Sequence, residues 1–509
     1  MNGKLKILFL TILLMALFAV VLWKVRPGQT EPDALGATQE TQQSRASAAA
    51  PAPGSSAAAA GTSASAAAKD DEDTELPGPV TSQESGKVLN IYCWNDLLMT
   101  RMEEHYPGYV KVDDTHGTIG DVDVVWTITA AANNAYQDLL DRDLLQNSEA
   151  DPDSRIDIFL VEADYALKYV DSPYTLPVTA LGIRTTELNN QYKYTQDVMT
   201  NTEGVLKGVS WQCCPGALIY NREAAIAILG SDDPETVQEA VKDWDAFLET
   251  AEKAAGKGYR MTATANDSYP VFSDNLSSPW IKDGTIKVPE NIGRWLEDSG
   301  KMLEAGQTTS SEVWSAEWSS GFWPKGASTD QTGVPAKDKL DVFCYFGSSW
   351  LMDYYMLEDR EGSIAANGGW GICEGPQGFY SGGVWIAAAT GTDNAELIAD
   401  IIRKLAADDT IMKQIALEDG DLVNNKHVMD ALASDESCGR ALLGGQNPIP
   451  VFAANAERID LSNMGPFDYD INEYFRENMK YYLSGLVSYD TALKNFYYDA
   501  EMRYPELSH

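Results

Sequence analysis

Basic residues are scarce in this sequence: its 509 residues include 38 Lys and Arg but 76 Asp and Glu, a formal net charge of -38. Proteins that bind nucleic acid need a basic stripe that displaces counterions from the phosphates, so this composition argues against nucleic acid as a partner. No basic cluster is large enough to hold a phosphorylated or polyanionic ligand. The acidity is typical of a soluble, self-repelling surface and indicates no specific electrostatic role.

Catalytic motifs are also missing. None of the four histidines pairs with another at the H-E-x-x-H spacing of a zinc site; they are His105, His116, His427 and His509. The sequence contains no G-x-S-x-G turn, no Walker A loop and no G-x-G-x-x-G turn. We therefore predict no catalytic residue, no metal and no cofactor, in a protein that is not an enzyme. Paired carboxylates are frequent enough to keep a secreted glycoside hydrolase as an alternative.

Cysteines are too few and too widely spaced for a dense disulfide framework. An even number in an exported chain permits disulfides, whereas small buried hydrophobic residues or free thiols are equally compatible with the pattern. The sequence leaves both states open for all six, which are Cys93, Cys213, Cys214, Cys344, Cys373 and Cys438.

A long, largely apolar run near the start extends from Ile7 to Trp23 and is followed by Lys24 and Arg26. At about 1.5 Å per helical residue, this run is close to the thickness of a bilayer core. Neither a small-x-small cleavage site nor a cysteine that accepts a lipid follows it directly. We predict that residues 1–27 are an uncleaved signal anchor, with a cleaved signal peptide as the alternative. In either case the rest of the chain is exported.

Residues 28–86 form a low-complexity stretch rich in Ala, Ser and Pro, with almost no large apolar side chain. Such a segment cannot bury enough surface to offset its chain entropy, so it is predicted to be a disordered linker and flexible stalk. The composition changes at residue 87. Residues 87–509 are predicted to form the folded domain.

Strand-like and helix-like segments alternate in this domain, which predicts α/β architecture. Short runs of apolar and β-branched residues predict strands at 155–161, 217–220 and 384–389. An N-cap signal at Asp243 predicts a helix that ends near Gly256. Apolar residues at helical spacing predict another helix after Asp393.

Aromatic side chains stand beside small or polar residues at several predicted strand ends. Sugars present a C–H face that packs on aromatic rings and a hydroxyl rim that bonds to carboxylates and amides. Most tryptophans in any protein belong to the core, so packing is the alternative for each. The predicted ligand-binding residues are Trp94, Asn95, Asp164, Trp211, Gln212, Trp350 and Trp385.

The order of these segments resembles the extracellular solute-binding proteins of carbohydrate ABC importers, of the family 1 type with a periplasmic-binding-protein fold. The resemblance extends from about residue 87 to the C-terminus. The segments that carry it, in chain order, are Val88 to Asn95, Ile156 to Asp164, Pro215 to Arg222, Asp243 to Asp245, Gly256 to Tyr259, Phe346 to Trp350, Gly371 to Pro376, and Gly382 to Ala387.

The resemblance implies a type II fold of two α/β lobes, joined by crossing hinge segments that close over the ligand. Lobe 1 would comprise about 87–195 and 376–425, and lobe 2 about 196–375 and 426–509. Two features depart from the family: the usual lipid-modified cysteine is missing, and Cys213 and Cys214 form an adjacent pair close to the expected pocket.

The function implied is that of an extracellular or periplasmic receptor, anchored to the cell membrane by its N-terminus. It would capture a small neutral solute, preferably a sugar, and hand it to ABC permease subunits. The segment from Tyr92 to Asp96 also resembles polyamine-binding relatives, in which aromatic rings and carboxylates hold a cation. A polyamine receptor is therefore the principal alternative, and a tethered adhesion or sensor module is a further one.

Overall fold

The structure is a computed structural model that describes residues 86–356 and 360–509. The predicted anchor (1–27) and nearly all of the predicted linker (28–86) lie outside the described residues. Within the residues described, no helix is both long and apolar enough to cross a membrane.

The strands of the described chain are short. They are β1 (Val88–Cys93), β2 (Tyr109–Lys111), β3 (His116–Ile119), β4 (Val122–Ile128), β5 (Ile158–Glu162), β6 (Gly208–Val209), β7 (Ala217–Asn221), β8 (Ile281–Lys282), β9 (Thr285–Ile286), β10 (Cys344–Gly347), β11 (Trp370–Cys373) and β12 (Val384–Ala388).

Helices occupy much of the remaining described chain. They are α1 (Leu97–His105), α2 (Ala135–Gln146), α3 (Ala166–Val170), α4 (Lys193–Val198), α5 (Arg222–Leu229), α6 (Pro234–Ala240), α7 (Trp244–Ala255), α8 (Tyr269–Ser273), α9 (Glu290–Glu304), α10 (Ala316–Ser319), α11 (Thr329–Thr332), α12 (Ser349–Tyr354), α13 (Ala395–Ala406), α14 (Asp409–Glu418), α15 (Lys426–Ala433), α16 (Ile449–Ala456), α17 (Asp468–Leu483) and α18 (Tyr489–Arg503).

A seven-stranded sheet with the order β2-β3-β4-β1-β5-β12-β6 forms the first lobe. The central strand β1 is parallel to β4 and β5, whereas β12 is antiparallel to both β5 and β6. Alternate residues of β1 are buried, and four consecutive residues of β5 are buried. The continuous apolar run of β5 is typical of a strand covered on both faces, which explains why β5 lies inside the sheet and not at its edge.

A smaller sheet with the order β10-β7-β11 forms the second lobe, and both outer strands are antiparallel to β7. Helices α5, α6 and α7 pack on it through a separate apolar cluster. As predicted, the Asp243 side chain caps α7, accepting a hydrogen bond from the Ala246 N–H. A third cluster joins α8 and α9 to the C-terminal pair α17 and α18. The predicted α/β architecture is confirmed.

Two segments connect the sheets within the described chain, at 210–216 and 378–384, and a third, at 419–425, lies beside them between two helices. The Cys213 N–H donates to the Leu422 carbonyl over 2.7 Å, and the Gly216 N–H donates to the Phe379 carbonyl over 2.7 Å. These bonds hold the three segments side by side. We call them the crossing segments.

The first crossing segment lies later than the sequence analysis placed it. Strand β6, assigned there to the second lobe, pairs with β12 in the seven-stranded sheet. The change of lobe therefore comes after residue 209 rather than near residue 196. Two residues of strand carry too little periodicity to be recognised from sequence.

All six cysteines are free thiols, and Cys438 is the least buried of them. Burial raises the pKa of the Cys214 thiol to about 12. The adjacent pair lies in the first crossing segment. There the Cys213 thiol donates to the Val423 carbonyl over 3.4 Å, and the Cys214 N–H donates to the Tyr194 hydroxyl over 2.8 Å. Both cysteines thus act as packing residues of the hinge.

Candidate ligand-binding cleft

One edge of the seven-stranded sheet adjoins the crossing segments. Because β1, β4 and β5 are parallel, the loops that follow them leave the sheet at the same edge. Val384 lies opposite Glu162, so β12 begins where β5 ends. In open α/β sheets, ligands bind beside the carboxyl ends of the parallel strands. This edge therefore presents Trp94, which directly follows β1.

The second sheet has a corresponding edge. Gly347 pairs with Ala217 and Cys373 pairs with Leu218, so β10 and β11 both end where β7 begins. Since β7 begins directly after the first crossing segment, this edge also adjoins the hinge. We call the space between the two edges the cleft.

The first-lobe side of the cleft carries an aromatic group made of Trp94, Tyr136 and Tyr165, which we call the first aromatic group. The half-buried Trp94 ring makes edge-to-face contacts with Tyr136 (5.5 Å between ring centroids) and Tyr165 (6.2 Å). The Tyr136 hydroxyl donates to the Leu160 carbonyl of β5 over 2.7 Å. The group is therefore fastened to the centre of the sheet.

The second-lobe side carries a larger set, Trp314, Trp318, Trp350 and Tyr355, which we call the second aromatic group. The Trp314 ring centroid lies 4.8 Å from that of Trp318, 4.8 Å from that of Tyr355 and 5.8 Å from that of Trp350. The Trp350 indole N–H donates to the Ser381 carbonyl over 2.7 Å, which ties the group to the second crossing segment. Trp314 is 53% exposed and Tyr355 is 42% exposed.

Two of the predicted ligand-binding tryptophans are core residues in this structure. Trp211 is 0% exposed and Trp385 is 1% exposed. The Trp385 indole N–H donates to the Thr195 carbonyl over 2.8 Å, and that of Trp211 donates to Asp421 over 3.4 Å. Both rings lie beside the cleft edge but face inward, so they offer no surface for a ligand.

The predicted polar residues occupy the cleft edge in different ways. Asn95 is exposed, and its side-chain oxygen accepts a hydrogen bond from the Leu97 N–H at the start of α1. Gln212 is half-buried in the first crossing segment, where it bridges to Val423. Asp164 lies in the turn after β5, and its side chain is outside the described residues.

Trp314 is not among the predicted ligand-binding residues, although it is the most exposed tryptophan of the described residues. It lies in a loop before α10 rather than at a strand end, so the criterion of strand ends missed it. The sequence indicates only that Trp314 and Trp318 are four positions apart, close enough for their rings to meet. Tyr136 and Tyr165 were not predicted either; Tyr136 lies in α2, and Tyr165 comes three residues after β5.

Charged groups near the hinge are already paired. Arg101 donates to Asp421 over 2.9 Å and lies 3.2 Å from Asp419, which His105 also contacts over 2.6 Å. Burial works against the Arg101 charge, but the two carboxylates outweigh it and raise the pKa of the guanidinium. Glu104, His105 and Asp419 bring three ligand atoms within 4.8 Å of one another. The guanidinium already satisfies this cluster, so it does not support a metal site.

Two α/β lobes, three crossing segments and aromatic rings on both facing edges define a hinged, two-lobed binding protein. The family model of bacterial extracellular solute-binding proteins matches residues 105–431. The chain belongs to this family.

Solved structures share the fold. A protein described as extracellular solute-binding protein family 1 is 18% identical with a TM-score of 0.64, over 82% of this chain and 99% of its own. The sugar-binding protein MalE from Xanthomonas citri is 13% identical with a TM-score of 0.58, over 82% of this chain and 97% of its own. An ABC transporter associated binding protein from B. animalis subsp. lactis Bl-04, in complex with beta-1,6-galactobiose, is 16% identical with a TM-score of 0.55, over 83% of this chain and 100% of its own.

At these identities the likeness establishes the fold alone, and it confirms the predicted two-lobed architecture. No curated protein sequence matches the chain significantly.

Proposed function

We propose that this protein is the extracellular substrate-binding component of an ABC importer, and that it captures a neutral sugar or oligosaccharide between its lobes. The observation that carries this proposal is the presence of aromatic rings on both edges of the cleft, Trp94 on one side and Trp314 and Trp350 on the other. Aromatic faces pack against the C–H faces of pyranose rings.

The ligands bound in solved structures with this fold agree with the proposal. Beta-1,6-galactobiose is bound in the protein from B. animalis subsp. lactis, lacto-N-biose in one from Bifidobacterium longum, and maltose in T. maritima MalE3. All three ligands are neutral saccharides. The lack of an unpaired cationic group among the described hinge residues favours a neutral ligand over an anionic one.

Polar groups at the cleft edge complete the proposed site. Asn95 and Gln212 offer amide groups to the hydroxyl rim of the sugar, and Asp164 lies in the adjacent turn. The mechanism requires that the sugar binds the closed arrangement of the lobes more tightly than the open one, since only differential affinity shifts such an equilibrium. The permease would recognise the closed form, with ATP hydrolysis in separate subunits.

Membrane attachment through residues 1–27 is part of the same proposal. An anchor at that end, followed by a flexible linker, keeps the binding domain on the outer surface and near the permease. Edman sequencing of the protein from membranes tests this point. An intact N-terminus is expected, and a start beyond residue 27 would show cleavage instead.

A ligand screen tests the binding function. The full-length chain in detergent is mixed with a panel of mono-, di- and oligosaccharides and with spermidine, and thermal unfolding is recorded. A ligand present at 100 times its Kd stabilises the folded state by about 2.7 kcal/mol, which raises Tm by several degrees. We expect a shift with a subset of neutral sugars, and a loss of that shift in Trp94→Ala and Trp350→Ala.

Other outcomes of the screen distinguish the alternatives. A shift with spermidine and with no sugar would establish the polyamine receptor instead. Product formation from a shifting saccharide, detected by chromatography, would indicate a glycoside hydrolase. Loss of uptake of the identified sugar, in cells that lack this chain but retain the permease, tests its role in import.

A further inference from the structure

Trp314 combines two unfavourable features. Its ring is 53% exposed, and its backbone has a φ of 70°, in the left-handed region. Among the described non-glycine residues, Asn134 and Asp283 also have positive φ, but their short polar side chains tolerate this conformation. For a tryptophan the conformation costs on the order of 1–3 kcal/mol, and such strain persists only where the surroundings impose it and often at functional sites.

The loop that presents Trp314 is held firmly. The Thr264 hydroxyl donates to the Ser311 carbonyl over 2.7 Å, and the Ala265 N–H donates to the Thr309 carbonyl over 2.9 Å. Lys480 of α17 forms an ion pair with Glu312. The ring of Trp314 is therefore exposed on a rigid loop.

A buried carboxylate supports the ring from below. Asp267 accepts a hydrogen bond from the Trp318 indole N–H over 2.7 Å and another from the Thr264 N–H over 2.9 Å. The Tyr345 hydroxyl donates to the Trp318 carbonyl over 2.9 Å. Trp318 then meets the Trp314 ring edge-to-face at 60°. One side chain, Asp267, thus connects the base of the loop with the indole on which Trp314 rests.

We propose that Trp314 is the ring on which the second lobe stacks one pyranose unit of the saccharide, and that Asp267 is a positioning residue that holds this ring through Trp318. The inference rests on the proposed function and names the part of the cleft that selects for a pyranose face. Because the ring is in place before the ligand arrives, binding costs less ordering entropy. Burial raises the pKa of Asp267 to about 7, which agrees with a carboxyl group enclosed beneath the second aromatic group.

The test is isothermal titration of full-length variants with the sugar that stabilises the wild type most. Trp314→Ala is expected to weaken binding about tenfold or more, and Trp314→Phe by less, since a smaller ring still stacks. Asp267→Ala is expected to weaken binding several-fold. Asp267→Asn retains an acceptor for the Trp318 N–H and should recover part of the loss.

A matched control separates positioning from a general loss of stability. Asp468 is a second buried carboxylate, which accepts a hydrogen bond from the Gly465 N–H and does not bond to the aromatic group. Asp468→Ala should lower Tm about as much as Asp267→Ala but leave the affinity unchanged. If Asp267→Ala does not fold, Trp318→Phe removes the same N–H while keeping a ring beneath Trp314, and should weaken binding in its place.

The possible failures are distinct. If Trp314→Ala binds the sugar with wild-type affinity, Trp314 is not the stacking ring. Unchanged affinity in Asp267→Ala or Trp318→Phe, or an equal loss in Asp468→Ala, overturns the positioning role. If the wild type binds no saccharide, the proposed function fails, and this inference fails with it.

Discussion

The two aromatic groups face the same cleft but are built in opposite ways. In the first group, Tyr136 is fully buried and Tyr165 is 8% exposed, so Trp94 alone offers part of its ring. In the second group, Trp314 and Tyr355 are 53% and 42% exposed. The first group is anchored by a hydroxyl to sheet backbone, whereas the second is held on a loop and a helix end. The first lobe therefore supplies a fixed wall, and the second supplies most of the exposed aromatic surface.

The largest expected difference is in stability. Tyr136→Ala removes a buried aromatic ring and should lower the free energy of unfolding by about 3–5 kcal/mol. Tyr355→Ala truncates a ring that is 42% exposed, and the expected loss is below about 1 kcal/mol. Urea denaturation of the two variants measures both. Equal losses would show that the groups are not built differently.

Two buried carboxylates, one in each lobe, should make stability depend on pH. Burial raises the pKa of Asp157, which directly precedes β5, to about 6, and that of Asp267, which bonds to Trp318 of the second aromatic group, to about 7. A carboxyl group whose pKa is higher in the folded state binds its proton more tightly there. Its contribution to stability is therefore full below about pH 4 and is lost as the pH rises through the folded pKa.

We expect the free energy of unfolding to fall between pH 4 and pH 8, by on the order of 1–4 kcal/mol for each group. In Asp267→Asn the part of the fall nearest pH 7 should shrink, whereas in Asp157→Asn the part nearest pH 6 should shrink. Denaturation curves at half-unit pH intervals measure this. A fall that both variants leave intact would assign the titration to other groups.

The crossing segments that join the two groups are closely packed. A Cβ atom on Gly216 would lie 2.1 Å from the Phe379 ring, so in Gly216→Ala the buried ring or the backbone beside it must shift. The expected cost is about 1–3 kcal/mol. Gly300→Ala, in α9 with nothing within 4 Å of the added atom, is the control and should stabilise the protein slightly. Thermal unfolding compares them, and equal Tm values would contradict the packing argument.

The smallest expected effect concerns one hydroxyl group. Tyr136→Phe removes the donor to the Leu160 carbonyl and should cost about 1 kcal/mol. Tyr355→Phe removes a hydroxyl from a side chain that is 42% exposed and should cost almost nothing. Urea denaturation in triplicate resolves this difference. If Tyr355→Phe lowers the free energy of unfolding as much as Tyr136→Phe does, the second aromatic group is held as firmly as the first.

Local patterns predicted the strands and the family well. The predicted strands at 217–220 and 384–389 are β7 and β12 to within one residue. Trp94 and Trp350 were selected because they follow strands, and both lie half-buried at the cleft edges. Strand ends are readable because hydrophobic runs and their breaks are local in sequence.

Whether a ring faces the core or the cleft could not be predicted from the local sequence. Trp211 comes after a strand, as Trp350 does, and Trp385 lies near the start of β12. Yet Trp211 and Trp385 are fully buried, with their indole N–H groups bonded to Asp421 and to the Thr195 carbonyl. Those partners are distant in sequence. Trp314 was missed for the converse reason, since its exposure depends on a loop held by residues more than 40 positions away.

The sequence by itself determined the α/β architecture and the kind of protein, because these depend on hydrophobic periodicity and on the order of short segments. It also identified which residue types stand at the strand ends. Only the tertiary structure decided which of those rings lie at the cleft, where the chain crosses between lobes, and that Asp267 supports Trp314. Burial and long-range hydrogen bonds settle these points, and they form between segments whose spacing along the chain carries no periodic signal.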